Sequence, residues 1–327
     1  MDITLTVQQL RDLGMDDVRV DEPLSRHTSF RIGGPAKILV VPKDLAQVVS
    51  VLTWLRDNTV PYFILGQGTN VLVSDYGVDA VVVSVAPGLK QITVEDHTIL
   101  AGSGVLLAKI ARHAQKHGLT GMEFAVSIPG TLGGALVMNA GAHGSAMVDV
   151  VESVRVWDPD KGVHHIKGED AEFQYRQSRF MKTPWIALEA QLRLKSGDPE
   201  QIRHVMEKFM AHRKSTQPVG EPNAGSVFKN PLPLFAGRLI EEIGAKGWTV
   251  GNAQVSTVHA NFIVNNGSAR ASDVLHLMRK IRCVVYQRFG VTLRPEVRWI
   301  GRGEGGATAT WENLWFKEGE GLMAPCE

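Results

Sequence analysis

Residues 127–144 read Ser-Ile-Pro-Gly-Thr-Leu-Gly-Gly-Ala-Leu-Val-Met-Asn-Ala-Gly-Ala-His-Gly, with glycine at 130, 133, 134, 141 and 144. Glycine lacks a Cβ, so it accepts positive φ and lets another group lie against the backbone. Pro129-Gly130 marks a turn, and the run from Thr131 to Met138 is suited to begin a helix there. A helix start presents unpaired N–H groups and the positive end of its dipole, which suits a phosphate. Two readings stand side by side: a cradle for a phosphate-bearing cofactor, or a glycine-rich turn that lets a helix pack tightly. Glycine spacing alone does not separate them.

Working outward, residues 37–41 (Lys-Ile-Leu-Val-Val) predict a strand. Asp44 can cap a helix whose apolar Leu45, Val48, Val49, Leu52 and Leu55 follow helical spacing. The next strand, 62–65, runs into a second glycine loop, Gly66-Gln67-Gly68-Thr69-Asn70. That loop lacks the third glycine of a Rossmann unit, since Val71 stands there, and the Gly-Lys-Ser/Thr ending of a Walker loop. Its bland reading is a plain strand-to-loop turn. Strands are expected at 79–84 and 91–101, then Gly102-Ser-Gly104 and a helix over 105–117 stopped by Gly118.

Downstream, 150–157 and 163–166 flank Asp158-Pro-Asp-Lys-Gly162, a hairpin turn. A strand follows at 185–194, and Pro199 opens a helix that reaches Arg213. The turn formers between Ser215 and Gly225 mark a hinge or active-site loop. Beyond them come a helix near 235–243, strands near 253–256 and 261–265, a helix over 272–288 ended by Gly290, and a closing strand over 291–300. A domain boundary is expected between about 197 and 220, and 302–327 read as a tail with no clear element.

A chain of 327 residues has room for two or three domains. A formal net charge of +1 gives no one-signed field to attract nucleic acid or an anionic membrane, so anionic ligands must be met by local arginines and lysines. Two cysteines, Cys283 and Cys326, make no disulfide framework, and a reducing, cytoplasmic compartment is expected. The N-terminus does not read as a signal peptide, and no apolar run reaches membrane-spanning length. No nucleic acid, membrane or obligate protein partner is expected.

Three further segments carry side chains able to do chemistry. In Tyr175-Arg176-Gln177-Ser178, Arg176 is a fixed cation able to grip a carboxylate with two parallel hydrogen bonds; alone it reads better as a surface arginine. In Gly225-Ser226-Val-Phe-Lys229-Asn230-Pro231, Ser226 follows a turn glycine, and most such serines only bond the local backbone. In Arg294-Pro-Glu296-Val-Arg298, Glu296 and Arg298 are expected on one face of a strand, where an acid–base pair is usually structural. His164-His165 face opposite ways on a strand; His113 and His117 have helical spacing, but nothing nearby completes a ligand set, so no metal is expected.

In this order the segments resemble the UDP-N-acetylenolpyruvoylglucosamine reductase (MurB) family of flavoenzymes. The matching segments are 27–34, 66–72, 121–125, Ile128–Gly134, 139–142, Tyr175–Ser178, 225–231, 236–240, 259–265 and 294–297, spanning about 22–301. Any one is weak; the ordered set is specific. With no tyrosine-bearing insertion between Tyr175 and Gly225, the chain resembles the shorter, second subclass. Gln67 and Thr69 depart from the commoner Gly and Ser of the first loop.

The resemblance implies an α+β fold: an FAD-binding domain of the vanillyl-alcohol-oxidase/p-cresol-methylhydroxylase (PCMH) type in two lobes, plus a C-terminal α+β substrate-binding domain. It divides the chain into a segment 1–26, the FAD domain 27–197, the substrate domain 198–301 and a tail 302–327. It implies FAD bound without a covalent link, at Gly66, Gln67, Gly68, Thr69, Asn70, Ile128, Pro129, Gly130, Gly133, Gly134 and Gly141, and NADPH as hydride donor. The implied activity is that of a UDP-N-acetylmuramate dehydrogenase, reducing the enolpyruvyl group of UDP-N-acetylenolpyruvoylglucosamine. The motif match makes Arg176 the carboxylate ligand, Ser226 the acid that protonates C2, and Glu296 a second carboxylate contact, protonated or sharing a proton through a raised pKa. Tyr175, Lys229, Asn230 and Arg298 are expected as further substrate contacts. A covalent-flavin oxidase is the nearest rival, but Gln67 and Thr69 offer it no tether.

Overall fold

The structure, a computed structural model, describes residues 1–303 together with Trp311 and Leu314. It divides into two compact units. The first gathers Met1–Arg19, Ile38–Gln67 and Ala80–Ser215; the second gathers Val20–Lys37, Gly68–Asp79 and the chain from Thr216 onward. Val18–Pro23, Pro35–Val40, Val78–Ser84 and Tyr62–Leu65 form a four-stranded sheet in that order.

The first unit holds α1 (Ile3–Asp12), α2 (Leu45–Asp57), α3 (Leu107–Lys116), α4 (Leu132–Met138) and α5 (Pro199–Thr216). The carboxylate of Asp44 accepts the Gln47 N–H at 2.8 Å, so α2 starts where its capping residue predicts. Val48, Val51, Leu52 and Leu55 of α2 are fully buried in a core shared with Ile38, Val40, Val81 and Val83. Tyr62–Leu65 pairs parallel with Val78–Ser84, the geometry that a strand–helix–strand crossover permits.

A second core of this unit lies on a five-stranded antiparallel sheet, in the order Gly162–Lys167, Val151–Asp158, Ile186–Arg193, Thr98–Gly102, Ile92–Glu95. Ile110, Ala111 and Ala114 of α3 and Leu132 and Leu136 of α4 belong to this core. The strand expected over 91–101 is a hairpin: Asp96 takes φ +48° and turns the chain. Asp tolerates that left-handed conformation better than most residues.

In the second unit Asn223–Ser226, Phe262–Asn265, Ala253–Val255 and Thr249–Val250 form an antiparallel sheet in that order. α7 (Ala271–Phe289) follows α6 (Ala236–Glu242); it buries Val274, Leu277, Met278, Ile281 and Val285 and ends at Gly290, φ +68°. The start of α7 is capped from far along the chain: the Asp75 carboxylate accepts the N–H groups of Ala271 (2.7 Å) and Ser272 (3.0 Å).

Two expectations are corrected here. The closing strand shrinks from 291–300 to Arg298–Ile300, paired parallel with Val71–Val73. Pro295 has no N–H to donate and leaves only an isolated bridge to Phe228, so Glu296 sits in an extended link beside a strand. The reading of 302–327 as a tail with no clear element is corrected for three of its described members. Arg302 donates a side-chain N–H to the Tyr76 carbonyl at 2.9 Å. The Trp311 indole N–H donates to the Val297 carbonyl at 2.8 Å, its ring edge-on to Trp299, and Leu314 is buried.

Of the two cysteines, Cys283 lies on α7 and Cys326 lies outside the described residues. Among the described residues no helix is long and apolar enough to cross a membrane, and no group of three or more potential metal ligands occurs.

Candidate active site

The two glycine loops meet in the first unit. A Cβ on Gly66 would lie 2.8 Å from Thr131 Oγ1, so the missing side chain is what lets the second loop approach the first. Gln67 beside it is exposed. The notion of a phosphate cradle at the start of α4 is revised. The Leu132 N–H donates to the Val105 carbonyl and the Gly133 N–H to the Ser103 carbonyl, both at 2.8 Å. A Cβ on Gly133 would meet Ser103 Cβ at 2.9 Å, so at this position close packing describes the geometry. Ligand access belongs instead to the surface around it. Pro129 and Gly134 are exposed, Ile128 is half-buried, Gly130 turns at φ +120°, and a Cβ on Gly134 would meet nothing nearer than Thr131 Oγ1 at 3.9 Å.

Arg176 is fastened to the far end of the same stretch. Gln174 and Gln177 exchange backbone hydrogen bonds at 3.0 and 3.1 Å, which leaves Tyr175 and Arg176 at the tip of a tight turn. Arg176 has φ +53°, in the left-handed region that such turns usually give to glycine. Its Nη2 donates to the Gly141 carbonyl at 3.0 Å, and its guanidinium carbon lies 5.4 Å from the centre of the Tyr175 ring. Gly141 itself sits in a close hairpin, where a Cβ would fall 2.6 Å from the Ser145 carbonyl oxygen. Asn139, buried at the end of α4 with φ +40°, donates to the Gln174 carbonyl (3.0 Å) and accepts the Val148 N–H (3.0 Å). This asparagine anchors the Arg176 turn to the glycine stretch.

The second unit brings Ser226, Glu296 and the end of the first glycine loop together. Gly225 at φ +74° forms an irregularity in the pairing of Asn223–Ser226 with Phe262–Asn265, a device that re-aims the next side chain. The Glu296 N–H donates to the Val227 carbonyl and the Lys229 N–H to the Arg294 carbonyl, both at 2.9 Å. Ser226 and Glu296 therefore lie on adjacent, hydrogen-bonded segments. Asn70 completes the group: its Nδ2 donates to the Glu296 carbonyl at 3.3 Å, and its carbonyl accepts the Arg298 N–H at 3.0 Å. Gly68, at φ +64°, packs so closely on residue 27 that a Cβ would sit 2.2 Å from the His27 carbonyl oxygen. Thr69 is half-buried. Arg298 keeps exposed surface, yet desolvation by its surroundings lowers its guanidinium pKa; it remains a cation. Asn230 is partly committed to the fold, since its Oδ1 accepts the Ala236 N–H at the start of α6 (3.0 Å).

A residue given no role from sequence holds this group in place. Asn261, buried within unit two, accepts the Phe228 N–H (3.0 Å) and donates to the Phe228 carbonyl (2.8 Å), while its own carbonyl takes the Val227 N–H (2.9 Å). Replacing Asn261 with leucine leaves a buried donor and acceptor on Phe228 unanswered. It is expected to destabilise the protein by about 2–4 kcal/mol in urea unfolding, since each orphaned group costs roughly 1–3 kcal/mol. A loss below about 1 kcal/mol would mean that Phe228 finds other partners.

The residues present fit a phosphate-bearing cofactor. Arg213 of α5 donates Nη1 to the Ser127 carbonyl at 2.9 Å, while its buried Nε finds no protein acceptor. Desolvation lowers its pKa without removing its charge. A half-buried cation with an unanswered N–H, beside an exposed glycine loop, suits an anionic group.

Comparison with known proteins agrees with this chemistry. Residues 36–167 match the FAD binding domain family, and residues 217–300 match the UDP-N-acetylenolpyruvoylglucosamine reductase C-terminal domain. The UDP-N-acetylenolpyruvoylglucosamine reductase of Caldanaerobacter subterraneus subsp. tengcongensis is 46% identical over 282 residues, 86% of this chain and 93% of that protein. The protein of the same name from Clostridioides difficile is 43% identical over 295 residues, 90% of this chain and 97% of its own. The crystal structure of UDP-N-acetylenolpyruvylglucosamine reductase (MurB) from Thermus caldophilus superposes with a TM-score of 0.73 at 35% identity, covering 87% of this chain and all of that one. The fold is accordingly α+β, an FAD-binding domain of the PCMH type followed by a MurB C-terminal domain. The chain belongs to the UDP-N-acetylenolpyruvoylglucosamine reductase family of FAD-dependent oxidoreductases.

Proposed function

We propose that this protein uses NADPH to reduce the enolpyruvyl group of UDP-N-acetylenolpyruvoylglucosamine to the lactyl ether. The product is UDP-N-acetylmuramate, for peptidoglycan synthesis in the cytoplasm. The proposal divides the chain at 26, 197 and 301 into an N-terminal segment, the FAD domain, the substrate domain and the tail.

FAD, when bound, supplies a two-electron carrier between NADPH and the terminal enolpyruvyl carbon. Gly66 to Asn70, Ile128 to Gly134 and Gly141 are the residues that would hold it, and neither Gln67 nor Thr69 can tether it covalently. Hydride addition at the terminal carbon leaves negative charge on C2 and its carboxylate. Stabilising that charge with preorganised donors is the largest help a site can give. Arg176 grips the carboxylate, with its backbone already set by the turn. Ser226 gives C2 its proton, which balances the addition across the double bond. Lys229 and Asn230 support the resulting alkoxide or bind substrate, and Tyr175 and Arg298 help anchor the substrate.

The pairing of Val227 with Glu296 carries this proposal, because it brings the segment that bears Ser226 against the segment that bears Glu296. Glu296 contacts the substrate carboxylate only when it holds a proton. The active form is then the protonated one, so the rate of the substrate half-reaction is expected to fall as pH rises through the alkaline range. A pH–rate profile flat through neutral and alkaline pH contradicts this role. The overall activity is tested by NADPH oxidation with purified protein. Turnover should require the enolpyruvyl nucleotide sugar, and NADPH consumption indifferent to it would refute the proposal.

A further inference from the structure

α5 takes no part in the chemistry proposed above, yet its last turns are fastened to the glycine stretch. Phe209, His212 and Arg213 stand at i, i+3 and i+4, which places them on one face of the helix. The His143 ring stacks on Phe209 with centroids 3.8 Å apart and planes parallel, and meets His212 edge-on at 5.7 Å. His143 Nε2 lies 3.3 Å from Ser127 Oγ, and Arg213 holds the Ser127 carbonyl at 2.9 Å. The helix thus grips both ends of the stretch, Ser127 and His143, and all five residues lie in one unit.

The backbone of His143 is the second observation. It has φ +54°, in the left-handed region that favours glycine, next to Gly144 at φ +87°. A glycine at 143 would relieve the strain. The histidine is kept there by the ring stack and by Ser127, a local strain held by surrounding contacts, as is typical of ligand clamps.

We propose that Phe209, His212 and Arg213 are positioning residues that hold the Ser127–Gly144 stretch in its FAD-binding conformation through His143 and the Ser127 carbonyl, and that acid loosens this hold. The inference rests on the proposal that the stretch contacts FAD. The charged groups around His143 explain the acid sensitivity. His212 and Arg213 face it from α5, and Arg176 is bound to Gly141 on the same hairpin. The Asp149 carboxylate is engaged with the Ala146 N–H. Although His143 keeps exposed surface, desolvation by its neighbours, and secondarily His212, lower its pKa below 6.5. The held state therefore favours neutral His143. Its hold is complete above the free value of 6.5 and weakens as pH falls from there toward the lowered value.

The test is the FAD dissociation constant of reconstituted apoprotein, read by flavin fluorescence. At about pH 7.5, His143→Ala and Arg213→Met should weaken FAD roughly tenfold, the effect of losing one aromatic stack or one charged hydrogen bond. Arg203→Ala, in an exposed ion pair elsewhere on α5, should change nothing. His143→Phe keeps the stack without the charge. It should bind FAD nearly as the wild type does at about pH 7.5, and should not share the wild type's loss of affinity at about pH 5.5.

Gly134→Val separates the two layers of the argument. If it abolishes FAD binding while His143→Ala and Arg213→Met stay within about twofold of wild type, the positioning role is wrong and the FAD stretch stands. If Gly134→Val binds FAD normally, the stretch is not an FAD contact and the inference falls with it. Should Arg213→Met fail to fold, the histidine variants decide alone. Equal pH dependence in wild type and His143→Phe overturns the acid effect.

Discussion

Ser226→Ala is expected to accept electrons from NADPH at the wild-type rate and then to fail in passing them to the enolpyruvyl substrate. Loss of a positioned acid lowers a proton-transfer step by about 10²- to 10⁴-fold, and the flavin should stay bleached for correspondingly longer. The substitution is mild for the fold. Ser226 ends the strand Asn223–Ser226, and its backbone is set by Gly225 in front and by the Val227–Glu296 pairing behind. Alanine keeps all of those backbone bonds. A variant that loses both half-reactions together would show that Ser226 is needed for cofactor binding or for folding, and would remove it from the proton-transfer role.

Arg176→Gly carries the second large effect. Glycine takes positive φ without strain, so the turn Gln174–Gln177 should form at least as readily as in the parent. The relief, roughly 1–2 kcal/mol less the entropy that glycine adds to the unfolded chain, offsets part of the lost hydrogen bond to the Gly141 carbonyl. Stability in urea should stay within about 1 kcal/mol of wild type. The substrate half-reaction, deprived of the cation that meets the developing charge, should slow by about 10²- to 10³-fold, on the scale of an oxyanion donor. Arg176→Lys should recover only part of this, since an ammonium restores charge but not the two-pronged grip. A glycine variant that unfolds readily yet reacts at the wild-type rate would make Arg176 a structural residue.

Local signals were legible wherever one side chain decides the backbone. Asp44 announced α2, and Gly118 and Gly290 announced the ends of α3 and α7, because a capping oxygen or a left-handed glycine acts within one turn of chain. α1 was missed. Its signal is nonetheless local: Asp2 caps it, and Ile3, Val7 and Leu10 stand at helical spacing and pack on the core that holds α2. Both ends of α7 were readable to within a residue, but the cap on its start was not, because Asp75 reaches it from roughly two hundred residues away.

The same divide runs through the site. The ordered motifs singled out Arg176, Ser226 and Glu296 as residues. They did not show that Gly66 abuts Thr131, that Asn261 brackets Phe228, or that Asn139 ties the Arg176 turn to α4. Those are contacts between distant segments, and a buried asparagine looks in sequence like any loop asparagine until its partners are known. The close packing at the start of α4 was hidden for the same reason. The carbonyls of Ser103 and Val105 that answer its first N–H groups come from another part of the chain.

The most direct test mixes NADPH-reduced protein, without oxygen, with UDP-N-acetylenolpyruvoylglucosamine while the flavin absorbance is followed in a stopped-flow cell. The account predicts that the yellow colour returns in the wild type with one equivalent of substrate, and returns far more slowly in Ser226→Ala. A reduced wild-type protein that stays bleached with substrate and regains its colour only when oxygen is admitted would contradict it.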